Sequence, residues 1–171
     1  MVPRIHVCPL SRLPETVRAT GARSLVTLIN EGTAVQRPPA ITAEKHLVVT
    51  LSDIVVEAPG HTLASQSHVE KLLTFVRGWD QEAPLLIHCW AGVSRSTAAA
   101  FIAACALRPH RDEAEIAHAV RTNSPTATPN ARLVAIADAM LGRDGRMAAA
   151  IAKIGRGRSC FEGAPFALEL H

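Results

Sequence analysis

The chain has 171 residues, 48% of them hydrophobic and 19% charged, with a formal net charge of +3. That length suits one domain with a core of its own and is too short for two comfortable ones. The mild charge gives no reason to invoke nucleic acid, and no apolar stretch approaches the ~20 residues of a membrane span.

Strands and helices alternate through the first half. IHVCPL (5–10) reads as a short strand. LPETVRATG (13–21) reads as a helix, with Pro14 suited to its first turn and Gly21 to its C-terminal cap. SLVTLIN (24–30) is an apolar, β-branched run and predicts a buried strand. Residues 31–45 are irregular, broken by Pro38 and Pro39. HLVVTLSDI (46–54) predicts a third strand running into a loop, and 62–79 carry apolar residues at helical spacing. APLLIHC (83–89) is apolar on both faces, as a central parallel strand should be. Helical segments follow at about 95–107, 112–122, 130–141 and 144–154. The residues beyond, RGRSCFEGAPFALELH, read as a loosely ordered tail (156–171) after a domain spanning 1–155. The expected fold class is α/β, a single domain with a central, mostly parallel sheet of about four to five strands flanked by helices.

The cysteines at 8, 89, 105 and 160 show neither CxxC nor regular spacing, so neither a disulfide framework nor a zinc site is expected. Reduced thiols and the absence of a long apolar leader fit a cytoplasmic protein. The histidines form no i,i+4 pair, and no metal or other cofactor is expected.

Chemistry concentrates in IHCWAGVSRST (87–97). The loop from Cys89 to Arg95 lies at the carboxyl end of the central strand and the amino end of a helix. Unpaired N–H groups there, with a partial positive charge, make a natural anion site. Gly92, with the small Ala91 and Ser94, lets the backbone curl so that successive N–H groups point inward. Arg95 adds a planar fork for two oxygens of a phosphate. This positive field favours a thiolate at Cys89, and a thiolate beneath a bound phosphate is a nucleophile placed for in-line attack. Ser96 can donate a hydrogen bond to the sulfur.

His88, Cys89, Gly92, Ser94, Arg95 and Ser96 match the signature H-C-x-x-G-x-S-R-S, a form of the C-x5-R loop, and by it the chain resembles the protein tyrosine phosphatase superfamily, in the manner of a compact bacterial dual-specificity-like phosphatase. The resemblance runs from about 47 to 141; SPTATPNARLV (124–134) is similar to the stretch that precedes a late helix in these enzymes. It implies a phosphatase-like fold and hydrolysis in two steps, through a phosphocysteine. Cys89 would be the nucleophile and Arg95 and Ser96 its catalytic partners. The loop residues Trp90, Ala91, Gly92, Val93, Ser94 and Arg95 would bind the phosphate. An upstream aspartate would serve as general acid. Asp53 is preferred for it because it follows a strand parallel to that of Cys89, with Glu57 as competitor. His88 is expected to be buried and to support the loop backbone. Trp90 either borders the substrate or fills the core, and Asn130 either braces the site or caps a helix. The expected partner is a phosphorylated protein, phosphotyrosine before phosphoserine or phosphothreonine, or a small phosphate ester, with neither nucleic acid nor membrane; oligomeric state is open. A rhodanese-like sulfurtransferase and a non-catalytic phosphate-binding module are the competing readings.

Overall fold

The computed structural model describes residues 1–171. Five strands, β1 (Arg4–Pro9), β2 (Ser24–Ile29), β3 (His46–Thr50), β4 (Leu85–Cys89) and β5 (Phe166–Glu169), form one sheet in the order β3-β2-β4-β1-β5. The first four run parallel, and β5 pairs antiparallel with β1. Six α-helices, α1 (Leu13–Thr20), α2 (Gln66–Arg77), α3 (Arg95–Leu107), α4 (Glu113–Asn123), α5 (Ala131–Met140) and α6 (Arg146–Ile154), cover it. The α/β architecture is the one expected. No helix is long and apolar enough to cross a membrane.

β4 is the middle strand of the five, and all its residues are buried. Alternate side chains serve opposite faces. Leu85, Ile87 and Cys89 join the main core, and Leu86 joins Cys8, Leu13, Val17 and Leu25 in a smaller cluster with α1. Its neighbours β1 and β2 both precede it in sequence, with Pro9 opposite Cys89 and Thr27 opposite His88. The carboxyl end of β4 therefore opens into the crevice where parallel sheets bind their ligands. α3 starts from that crevice. Every residue from Arg95 to Cys105 is buried, as in a helix that is apolar all round. Its alanines let α2, α4 and α5 pack closely around it.

Two expectations are corrected. The helix sought over 62–79 starts at Gln66, because Ser65 caps it in a capping box closed by His68 (Ser65 N–H to His68 Nδ1, 3.0 Å). The supposed loose tail at 156–171, outside a domain ending at 155, contains β5. Phe166, Leu168 and Leu170 alternate with polar or small residues and bury one face in the main core. Arg4 and Glu169 pair across the edge at 2.8 Å. Only a four-residue alternation signals this strand, and the glycines, proline and arginines before it mask the signal.

If β5 belongs to the core, Leu168→Ala should lower the unfolding free energy in urea by about 2–4 kcal/mol, the usual cost of emptying a buried leucine site. A change within ±0.5 kcal/mol would mean the strand does not pack.

Candidate active site

The loop between β4 and α3 is shaped by one close approach. Gly92 has φ +68°, and a Cβ there would lie 2.8 Å from Pro9 N and 2.9 Å from Cys8 C. Only glycine meets both conditions. The curl brings the Gly92 N–H to 3.3 Å from Cys89 Sγ, and Ser96 Oγ lies 3.1 Å from the same sulfur. Both groups are placed to stabilise negative charge on it. Cys89 is 2% exposed. Cys8 and Cys105 are also buried, and burial pushes both of those thiols up to about 12 and leaves them protonated.

Arg95 is buried, and its guanidinium is oriented by one nitrogen only. Nη1 donates to Asn30 Oδ1 at 2.7 Å and to the Leu51 carbonyl at 2.8 Å. Nε is buried without a protein partner. The Nε edge is therefore the one left for an anion, in the orientation that suits bidentate binding. Asn30 follows β2 and Leu51 follows β3, so the ends of two neighbouring parallel strands fix the arginine that begins α3. Asn30 was missed in the sequence. A polar residue directly after a buried parallel strand was the available signal.

Asp53 lies beyond β3 and lines the same cleft. Its Oδ1 accepts from Ser94 Oγ (2.6 Å) and from Asn130 Nδ2 (3.0 Å), while Oδ2 has no protein partner. Glu57 is exposed and lies outside the cleft lining. Asn130 fills both of the roles left open for it. Its Oδ1 accepts the N–H groups of Arg132 and Leu133, capping α5, while its Nδ2 holds Asp53 and the Ile54 carbonyl. Its own N–H donates to the Ser94 carbonyl.

Cys89, Trp90, Ala91, Val93, Ser94 and Arg95 line a cleft of about 370 Å³, together with Asn30, Asp53 and Cys160. Trp90 is 45% exposed and stands edge-to-face with Phe161, ring centroids 5.3 Å apart. It borders the cleft and does not fill the core. Cys160 and Phe161 come from the segment read as a tail. That segment also braces the loop, the Gly163 N–H donating to the Ala91 carbonyl at 2.8 Å.

His88 is fully buried. Its Nδ1 lies 3.0 Å from the Cys89 carbonyl, which can only accept, so Nδ1 carries the proton. Nε2 then accepts from Thr27 Oγ1 at 2.8 Å, and that oxygen accepts from His46 Nε2, also at 2.8 Å. Burial lowers the His88 ring to about 4, so it is neutral at pH 7. Below pH 6.5 the unfolded chain takes up a proton that folded His88 refuses, and stability falls with pH. His88 alone should remove about 3 kcal/mol between pH 6.5 and 4. Denaturant midpoints should drop over that window in the wild type and less steeply in His88→Asn; parallel slopes would contradict the assignment.

No protein-family model and no curated protein matches the sequence at a significant level. Solved structures do. The chain is similar to the PTP-2 phosphatase of Cydia pomonella, at 21% identity and TM-score 0.62, over 79% of this chain and 84% of that one. It is similar to human DUSP28 at 17% identity and TM-score 0.62, over 81% and 88% of the two chains. For DUSP15 the values are 16% identity and TM-score 0.61, over 92% and 96%. Over most of its length the chain thus shares the fold of these solved phosphatase structures, a single α/β domain with a mostly parallel five-stranded sheet and six helices.

Proposed function

We propose that the protein is a cysteine-dependent phosphomonoester hydrolase that acts through a phosphocysteine intermediate, with phosphotyrosine in proteins as its substrate class. One observation carries the reading: Cys89 Sγ, the unpartnered edge of Arg95 and the Asp53 carboxyl group share one cleft.

In the first step Cys89 thiolate attacks phosphorus and the S–P bond forms as the P–O bond to the leaving group breaks. Arg95 follows the phosphoryl oxygens through Nε, and inward N–H groups of the loop take the rest of the charge. Asp53 gives its proton to the leaving oxygen. In the second step Asp53 takes a proton from water as the water attacks phosphorus, and the sulfur leaves as a thiolate. Ser96 Oγ and the Gly92 N–H receive that charge. The Trp90–Phe161 pair beside the cleft offers an aromatic rim for a phenolic substrate. The loop interior, WAGVS, contains no lysine, which weakens the case for a polyphosphoinositide.

The purified protein should hydrolyse p-nitrophenyl phosphate in the presence of chelator. Cys89→Ser should abolish turnover and retain phosphopeptide binding. Persulfide formation from thiosulfate, with no phosphate release, would establish the sulfurtransferase instead. Arg95→Lys keeps the charge but not the fork, and should lower kcat/KM by roughly 10²-fold or more.

The acid is tested by leaving-group dependence. Asp53→Asn should cut kcat on phosphotyrosine by ~10²–10⁴-fold and much less on a strongly activated aryl ester, with loss of the alkaline limb of the pH–rate profile. Glu57→Gln should leave both substrates unaffected. If Glu57→Gln shows the leaving-group dependence, the acid is Glu57.

A further inference from the structure

A second cavity, of about 580 Å³, adjoins the cleft and shares Asp53, Val93, Ser94 and Cys160 with it. Its apolar lining comes from Val93, from Ala131 in α5 and from Ala148, Ile151 and Ala152 in α6, with the fully buried Val134 beneath them. Another wall is the segment 155–160, which carries Arg156 and Arg158. The main chain holds this segment in place. The Arg158 N–H donates to the Pro125 carbonyl at 2.9 Å and the Gly157 N–H to Thr128 Oγ1 at 3.0 Å. A Cβ on Gly157 would lie 2.5 Å from Thr126 C, so the segment sits tight against the loop before α5.

The two arginine side chains play no part in that anchoring. Both are exposed, and neither belongs to any ion pair or side-chain hydrogen bond of the chain. The cavity contains a single carboxylate, Asp53, whose Oδ1 is already engaged. An apolar floor, two unpaired guanidinium groups and four lining residues in common with the cleft suit a ligand part apolar and part anionic, joined to the group held in the cleft.

Resting on the phosphatase reading above, we infer that this cavity receives the peptide flanking the phosphorylated residue, and that Arg156 and Arg158 bind a second anion on it, a carboxylate or a second phosphate. A peptide covers the floor with one side chain and meets the arginines with another. An inositol headgroup carries its phosphates on a wholly polar ring and would leave the apolar floor uncovered. Arginine suits either anion, since its fork matches carboxylate and phosphate alike.

The test uses the full chain and phosphotyrosine peptides identical except for neutral, glutamate or phosphoserine residues at each flanking position, with p-nitrophenyl phosphate as the substrate that reaches only the cleft. The wild type should favour an acidic-flanked peptide over the neutral one by about tenfold to a hundredfold in kcat/KM, the range that charge-assisted hydrogen bonds supply. Glutamate and phosphoserine arms separate the two anion sources. The doubly reversed variant R156E/R158E should lose this preference while its rate on p-nitrophenyl phosphate stays within about twofold of wild type. Peptide binding to Cys89→Ser, with and without the reversals, should show the same difference without turnover. A wild type indifferent to flanking charge, or a preference that survives the reversal, overturns the proposal. So does faster hydrolysis of vesicles carrying a bisphosphorylated inositol lipid than of any peptide, if the reversal abolishes it. Failure on p-nitrophenyl phosphate itself overturns the catalytic reading, and the binding comparison then decides the cavity on its own.

Discussion

The backbone contact between Gly92 and the end of β1 is the constraint from which the site follows. A loop leaving a central strand for a helix has many paths. This one returns against Cys8 and Pro9 so closely that no Cβ fits between them. The curl turns the Gly92 N–H toward Cys89 Sγ. It also brings Trp90 and Ala91 carbonyls outward, where the Leu10 and Gly163 N–H groups meet them. The loop is clasped on one side by the continuation of β1 and on the other by the segment before β5. The carbonyls of Trp90, Ala91, Val93 and Ser94 are all engaged by N–H groups from outside the loop, so the loop is held in shape before any ligand arrives and its donors need little reorganisation to receive one.

Strand ends supply the rest. β2 delivers Asn30 and β3 delivers Leu51 and Asp53, at successive positions around Arg95 and Ser94. Parallel strands make this convergence cheap, because all their carboxyl ends open on one side of the sheet. Asn130 then ties the helical half of the molecule to the strand-end loops through Asp53 and Ile54. It satisfies the first turn of α5 with the same side chain, so helix placement and carboxylate placement depend on one residue.

What the sequence showed best was local. β4, its loop and α3 were visible because apolar run, glycine turn and helix start follow one another within a short stretch. Asp53 was singled out through its strand, and it lines the cleft. The missed features depend on partners distant in the chain. Asn30 becomes meaningful only when Arg95 is beside it. β5 is four residues long, and its apolar face is defined by β1 and the core at the opposite end of the chain. The first turn assigned to α2 failed for a related reason. Leu63 and Ala64 continue the apolar pattern of the helix, yet Ala64 is buried outside it and its carbonyl accepts from Arg132 in α5.

The way the segment 155–163 is anchored has a consequence for how such a protein changes over generations. Its fixed points are main-chain amides and two glycines packed against backbone. The side chains at 156, 158, 159 and 160 are exposed. Drift at those positions leaves the core, the loop and Cys89 untouched, since exposed residues away from such anchors carry little stability. On the proposed reading, chemistry and selectivity are inherited on separate parts of the chain. A lineage with this architecture can alter what it accepts in a few mutational steps, each close to neutral for folding, while the reaction itself stays the same.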